Sequence, residues 1–148
     1  MADGHPLLAK TLDWLMRPLY PARRLVVPEA RGRVLEIGVG TGLNLGLYRS
    51  IERLDAIAPD PFMFERARPR AEALPFPTSL HQTGAERLPF EDRAFDTAVL
   101  TFTLCTIPDP EAALAELRRV LKPAGQLLFV EHTRSVQPML GRAQDALT

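Results

Sequence analysis

Residues 34 to 48 read VLEIGVGTGLNLGLY: an apolar run, the carboxylate of Glu36, then Gly38, Gly40 and Gly42, and the amide of Asn44. Glycines at alternate positions strip the turn of Cβ atoms, so a ligand can lie directly against the peptide groups. Three chemistries use such a turn. A phosphate loop needs a lysine followed by Ser or Thr after its glycines, and none follows here. A dinucleotide fingerprint places its third glycine three positions after the second, where this chain has Leu43, which disfavours an NAD-dependent oxidoreductase. The third ligand is S-adenosylmethionine (SAM), whose amino-acid end carries a carboxylate and an ammonium but no phosphate. Glu36 suits the ammonium, directly or through water, and helix-terminal N–H groups suit the carboxylate. A plain strand-to-helix turn needs fewer glycines and no acid.

Other reactive side chains are sparse. Glu131-His132 follows an apolar run, and His132 is the candidate general base for an acceptor that must lose a proton. Its plainer reading is a hydrogen-bonded loop histidine. His5 and His81 show no evident partners. Cys105, the single cysteine, reads as a small buried apolar residue, and it excludes an intramolecular disulfide or a cysteine-based metal site. Trp14 and Tyr20 read first as core-packing residues of the N-terminal segment and second as lining for a substrate pocket. Glu65, Arg66, Arg68 and Arg70 read as a solvated helix face.

These residues need elements to position them. Leu8, Leu12, Leu15 and Leu19 recur at helical spacing and predict a helix over about 6–17, with a second short one in ARRLVV. Strands are expected at 33–38, 54–58, 78–82, 94–102 and 126–130, and helices at 43–49, 62–72 and 137–147. Asp109 caps and Pro110 opens a further helix, with Leu114, Leu117 and Leu121 as its buried stripe. Residues 122–125, Lys-Pro-Ala-Gly, form a turn. Alternating strands and helices argue for an α/β, doubly wound parallel sheet of about five strands, with ligands bound beyond the carboxyl ends of the strands. Residues 1–30 form an N-terminal helical segment or lid, and 31–148 the ligand-binding domain.

The 148 residues are 46% hydrophobic and carry 18 basic and 18 acidic side chains. Zero net charge and the absence of a basic stripe argue against nucleic acid. No apolar run approaches the roughly 18 residues of a membrane span, and no secretory signal is evident, so a cytoplasmic protein away from the membrane is expected.

From Gly32 to His132 the chain resembles class I SAM-dependent methyltransferases. The first motif is VLEIGVGTG, the second-strand motif AIAPDPFM, and the fourth-strand region GAERLPFEDRAFDTAVLTFTLCTIPDP, followed by EAALAELRRVLKPAGQLLFVEH. The nearest likeness is to small bacterial members related to ubiquinone/menaquinone-type and phospholipid or thiol methyltransferases. The resemblance implies a Rossmann-like fold, SAM as cofactor and S-adenosylhomocysteine (SAH) as product. It implies that Gly38, Gly40 and Gly42 line the methionine end above Glu36, with Asn44 adding a polar contact. Gly84, Ala85 and Glu86 would meet adenine, Met63 would pack near the adenosine, and Thr101 and Phe102 would lie beneath the cofactor.

Two departures from the family pattern stand out. Ala58 occupies the place of the acid that binds the ribose hydroxyls; Asp60, two residues on, either reaches the ribose or caps the next helix. The sequence also stops before the family's sixth and seventh strands, so the exposed edge of the fifth strand is expected to pair in a homo-oligomer. Two functions follow. One is a SAM-dependent methyltransferase acting on a small-molecule acceptor, with a hydrophobic one in view. The other is a catalytically degenerate relative, binding SAM weakly or not at all and acting through self-association or a partner.

Overall fold

The computed structural model describes residues 6–131. Helices α1 (Pro6–Leu15) and α2 (Tyr20–Val26) precede strand β1 (Gly32–Ile37). Then come β2 (Ile51–Ile57), α3 (Pro61–Glu72), β3 (Thr78–His81), β4 (Phe95–Thr101), α4 (Pro110–Val120) and β5 (Leu121–Val130). The strands form one parallel sheet in the order β3-β2-β1-β4-β5. The chain therefore leaves β1 for one side of the sheet and returns to β4 on the other, which makes the gap beyond β1 and β4 the switch point where such sheets bind ligands.

The two central strands are apolar on both faces because both faces are covered. Val34, Leu54, Ala56 and Val99 pack toward Val27, Leu45, Tyr48 and Ala67. Leu35, Ile37, Ile57, Phe95, Ala98 and Leu100 pack toward Leu88 and the inner stripe of α4. That stripe is Ala113, Leu117 and Val120, whereas Leu114, expected inside, is exposed. Helices α3 and α4 begin as their sequences dictate, since Asp60 and Asp109 accept hydrogen bonds from first-turn N–H groups and a proline follows each.

Three expected elements take another form. No α-helix spans 43–49; Leu45–Leu47 is a 3₁₀ turn and Tyr48 is already extended. Gly42 just before this stretch and Gly46 inside it deprive an α-helix of propagation. Strand β2 starts at Ile51 rather than at Leu54, paired with Gly32. The Lys122–Gly125 turn survives as an irregularity inside β5, where pairing jumps from Phe95–Leu121 to Thr97–Gln126. The expected helix over 137–147 lies outside the described residues, as do His5 and His132.

Candidate functional site

Because the sheet is parallel, the segments after β1, β2, β3 and β4 emerge at one end. They carry the glycine turn, Ala58 to Met63, Gly84 to Glu86, and Thr101 to Leu104 respectively. The turn is left-handed at each of its three glycines, with φ of +71°, +54° and +87° at Gly38, Gly40 and Gly42. At Gly38 an added Cβ would also overlap the Thr103 side chain, and at Gly42 it would stand 2.8 Å from Leu45 Cδ1. Only glycine fits either place.

Beneath the turn the structure gathers Glu36, Asn44 and Thr101 into one buried network with two residues that the sequence did not flag, Arg23 and Tyr48. Tyr48 Oη donates to Glu36 Oε2 at 2.9 Å, and Asn44 Nδ2 donates to Glu36 Oε1 at 2.9 Å and to Thr101 Oγ1 at 3.0 Å. Arg23 Nη1 donates to Asn44 Oδ1 at 2.8 Å and to Thr101 Oγ1 at 2.6 Å. Its guanidinium carbon lies 5.0 Å from the centre of the Phe102 ring. Burial pushes the Glu36 carboxyl up to about 7, against the hydrogen bonds from Tyr48 and Asn44 and the charge of Arg23, which pull it down. Burial also lowers Arg23 from its ordinary value, while the charges of Glu36 and Glu131 oppose the change. Tyr48 left a trace in the sequence, four residues after Asn44. Arg23 left none, because its burial depends on Thr101, far along the chain.

Phe102 closes β4 with φ of +52°, a conformation that a bulky side chain adopts only under constraint. The constraint is visible: Phe102 N donates to Val130 O at 2.7 Å, and the Glu131 carboxylate accepts from the N–H groups of Thr103 and Leu104 at 2.7 and 3.0 Å. The turn is also strapped from above. Thr41 Oγ1 donates to Asp13 on α1, and Arg70 on α3 donates to Asp13 Oδ2 at 2.5 Å and to Thr41 O at 2.8 Å. Arg66 adds a looser contact to Asp13 at 3.9 Å, so part of the expected solvated face of α3 is engaged. Burial raises Asp13, but the hydrogen bonds from Arg70 and Thr41 and the charges of Arg70 and Arg66 outweigh it and hold the carboxyl below its ordinary value.

The remaining predicted residues lie on the segments after β2 and β3. Asp60 Oδ1 caps α3, accepting from Phe62 N at 2.8 Å and Met63 N at 3.1 Å, and Met63 is buried at the head of that helix. Ala58 is buried, with its N–H on His81 O. Ala85 is buried in the core against α4, and the Glu86 carboxylate folds back over Gly84. Three expectations change. Cys105 is exposed, because it stands in the 3₁₀ turn Leu104–Thr106 beyond the strand. Trp14 is 73% exposed rather than core-packed, since α1 turns the polar contact of Asp13 inward. His81 does have partners, Asp55 Oδ1 at 2.9 Å and the edge of Phe90.

The donor set fits a ligand with an anionic and a cationic end. A turn with three left-handed glycines meets a buried carboxylate and a buried guanidinium whose Nε has no hydrogen-bond partner. Comparison with known proteins agrees. Residues 35–129 match the family model described as a methyltransferase domain. The chain belongs to the class I SAM-dependent methyltransferase family. It is 36% identical over 131 residues to a phosphatidylethanolamine N-methyltransferase of Cereibacter sphaeroides, covering 86% of this chain and 64% of that one. It is 35% identical over 109 residues to the human thiol S-methyltransferase TMT1B, covering 70% of this chain and 44% of the relative. A solved structure from Thermotoga maritima, described as a SAM-dependent methyltransferase and possible histamine N-methyltransferase, superposes with a TM-score of 0.67 at 30% identity. That match covers 94% of this chain and 66% of the other. The chain thus spans about half to two thirds of the length of these curated relatives, and SAM is the cofactor its family uses.

Proposed function

We propose that this domain transfers a methyl group from SAM to a small, hydrophobic acceptor. The observation that carries the reading is the buried Glu36–Asn44–Arg23 network under a left-handed glycine turn at the switch point of the sheet. SAM, when bound, supplies a methyl group already activated on a sulfonium, so the protein's contribution is positioning and exclusion of water. Gly38, Gly40 and Gly42 hold the backbone open, and Glu36 offers its carboxylate to a cation. The Asp13–Arg70–Thr41 strap holds α1 beside the turn, and constrained Phe102 forms the floor next to Arg23.

Support for a hydrophobic acceptor comes from the helices before β1. Leu7, Trp14, Leu15 and Leu25 are all exposed there, and α1 is tied to the glycine turn. A relative named for phosphatidylethanolamine points the same way. Exposed Leu127 and Phe129 on β5 support pairing of two copies along that edge, which sedimentation velocity would show as a dimer. No helix among the described residues is long and apolar enough to cross a membrane. Neither the fold nor the relatives favour the degenerate alternative.

The test is transfer of radiolabelled methyl from SAM to a panel of phosphatidylethanolamine vesicles, long-chain thiols and demethylated quinols. Labelling of one apolar class, blocked by SAH, is the expected result. SAH binding with no labelling of any class would overturn the acceptor assignment.

A further inference from the structure

A guanidinium is rarely buried without a carboxylate against it. Arg23 is 7% exposed, yet no ion pair joins it to a carboxylate among the described residues. Its Nη1 goes to two neutral oxygens, those of Asn44 and Thr101, and its Nε is buried with no hydrogen-bond partner. Such an orphaned donor has lost its water and gained nothing in return. Glu36 and Glu131 act on it only through space.

The location gives the vacancy of partners a meaning. Asn44 follows the glycine turn of β1 and Thr101 ends β4, so Arg23 is held between the two strands that flank the switch point. The anion receptor expected from a helix end does not exist here, because the turn leads into three residues of 3₁₀ conformation rather than an α-helix. Arg23 is the cation held here with no carboxylate of its own among the described residues. Glu36, two hydrogen bonds away through Asn44, provides the opposite charge for a zwitterion.

We infer that Arg23 is the receptor for the carboxylate at the amino-acid end of SAM, with Asn44 and Thr101 holding its side chain in place. The inference rests on the SAM reading of the site. A planar guanidinium gripped through one nitrogen keeps its other N–H groups in a fixed fork, which suits a carboxylate better than an ammonium would.

The experiment uses the full chain and two ligands, SAH and S-adenosyl-3-thiopropylamine, which differ only in the carboxylate. Calorimetry reads the ratio of the two dissociation constants. Wild-type protein is expected to prefer SAH by about ten- to a hundredfold, the range for charge-assisted hydrogen bonds. Arg23→Met should bring the ratio to within about threefold of unity, and Arg23→Lys should lie between, keeping charge but losing the fork. An Arg23→Met protein that weakens both ligands equally and keeps the wild-type ratio overturns the inference and makes Arg23 a structural residue. Should Arg23→Met fail to fold, a wild-type ratio near unity or an unchanged ratio in Arg23→Lys overturns it. A wild-type protein that binds neither ligand overturns the cofactor reading itself, which separates the two failures.

Discussion

Glu36 and Asp55 stand on neighbouring strands of the same sheet, each 1% exposed, on opposite faces, and their surroundings differ in kind. Asp55 touches two cations and an imidazole directly: Arg33 Nη2 and Arg53 Nε are 3.2 Å from its Oδ2, and His81 Nε2 is 2.9 Å from its Oδ1. Burial raises its carboxyl, but the hydrogen bonds from His81 and Arg53 and the charges of Arg53 and Arg33 outweigh it and hold the group below its ordinary value. Glu36 is touched only by neutral donors, with the guanidinium of Arg23 one residue removed, and its carboxyl rises to about 7. One buried acid is already neutralised by the fold. The other is solvated by dipoles and still lacks a cation at contact distance, as expected of a group kept for a ligand.

The largest effect should come from Asp55. Asp55→Ala leaves Arg33, Arg53 and His81 crowded without their anion and is expected to lower unfolding free energy by about 3 kcal/mol in urea, with SAH affinity unchanged within about threefold. A comparable loss of SAH affinity would break the division between a structural acid and a binding acid.

The two acids should also respond oppositely to pH. A carboxyl whose folded value lies above its unfolded value binds a proton on folding, so the contribution of Glu36 is full below 4.5 and is lost as the pH rises through about 7. Asp55, with a lowered folded value, contributes stability above its ordinary value of 3.8 and loses it as the pH falls through the lowered one. Wild type compared with Glu36→Gln should therefore lose on the order of 2–3 kcal/mol of relative stability between about pH 4.5 and about pH 7. A flat difference over that window would show that Glu36 is not held in a raised state.

For binding the ranking reverses. Glu36→Gln keeps the shape but removes the charge, and SAH affinity near neutral pH should fall about ten- to a hundredfold, roughly 1.5–3 kcal/mol, while stability changes little. The smallest effect belongs to the strap over the turn. Asp13 and Arg70 are both partly exposed, so Asp13→Asn should cost about 0.5 kcal/mol, read as faster hydrogen exchange in α1.

How legible this was in the sequence depended on how local each cause is. Strands β1 and β4 announce themselves because both faces of Val34–Ile37 and Thr97–Leu100 are buried, which forces runs that are apolar apart from Glu36 and Thr97. The glycine turn is equally local, since each left-handed residue needs its own glycine. The caps at Asp60 and Asp109 read directly from an acid followed by proline. The helix expected after the turn does not form, because Gly42 and Gly46 remove its stability. Arg23 was invisible for a different reason. Nothing in its neighbours along the chain distinguishes it from exposed Arg24, and only the tertiary approach of Asn44 and Thr101 buries it. The strap through Asp13 and Arg70 was hidden likewise, because charged residues on helix surfaces are ordinarily solvated.

The central claim is that Glu36 is a binding acid awaiting a cation, and the pH dependence of SAH affinity in the wild-type chain tests it most directly. Only the ionised carboxylate receives the ammonium, so calorimetry should show micromolar binding at about pH 8 that weakens about tenfold by about pH 6, with Glu36→Gln nearly flat over the same range. No binding at the higher pH, or a wild-type affinity independent of pH, would contradict the account.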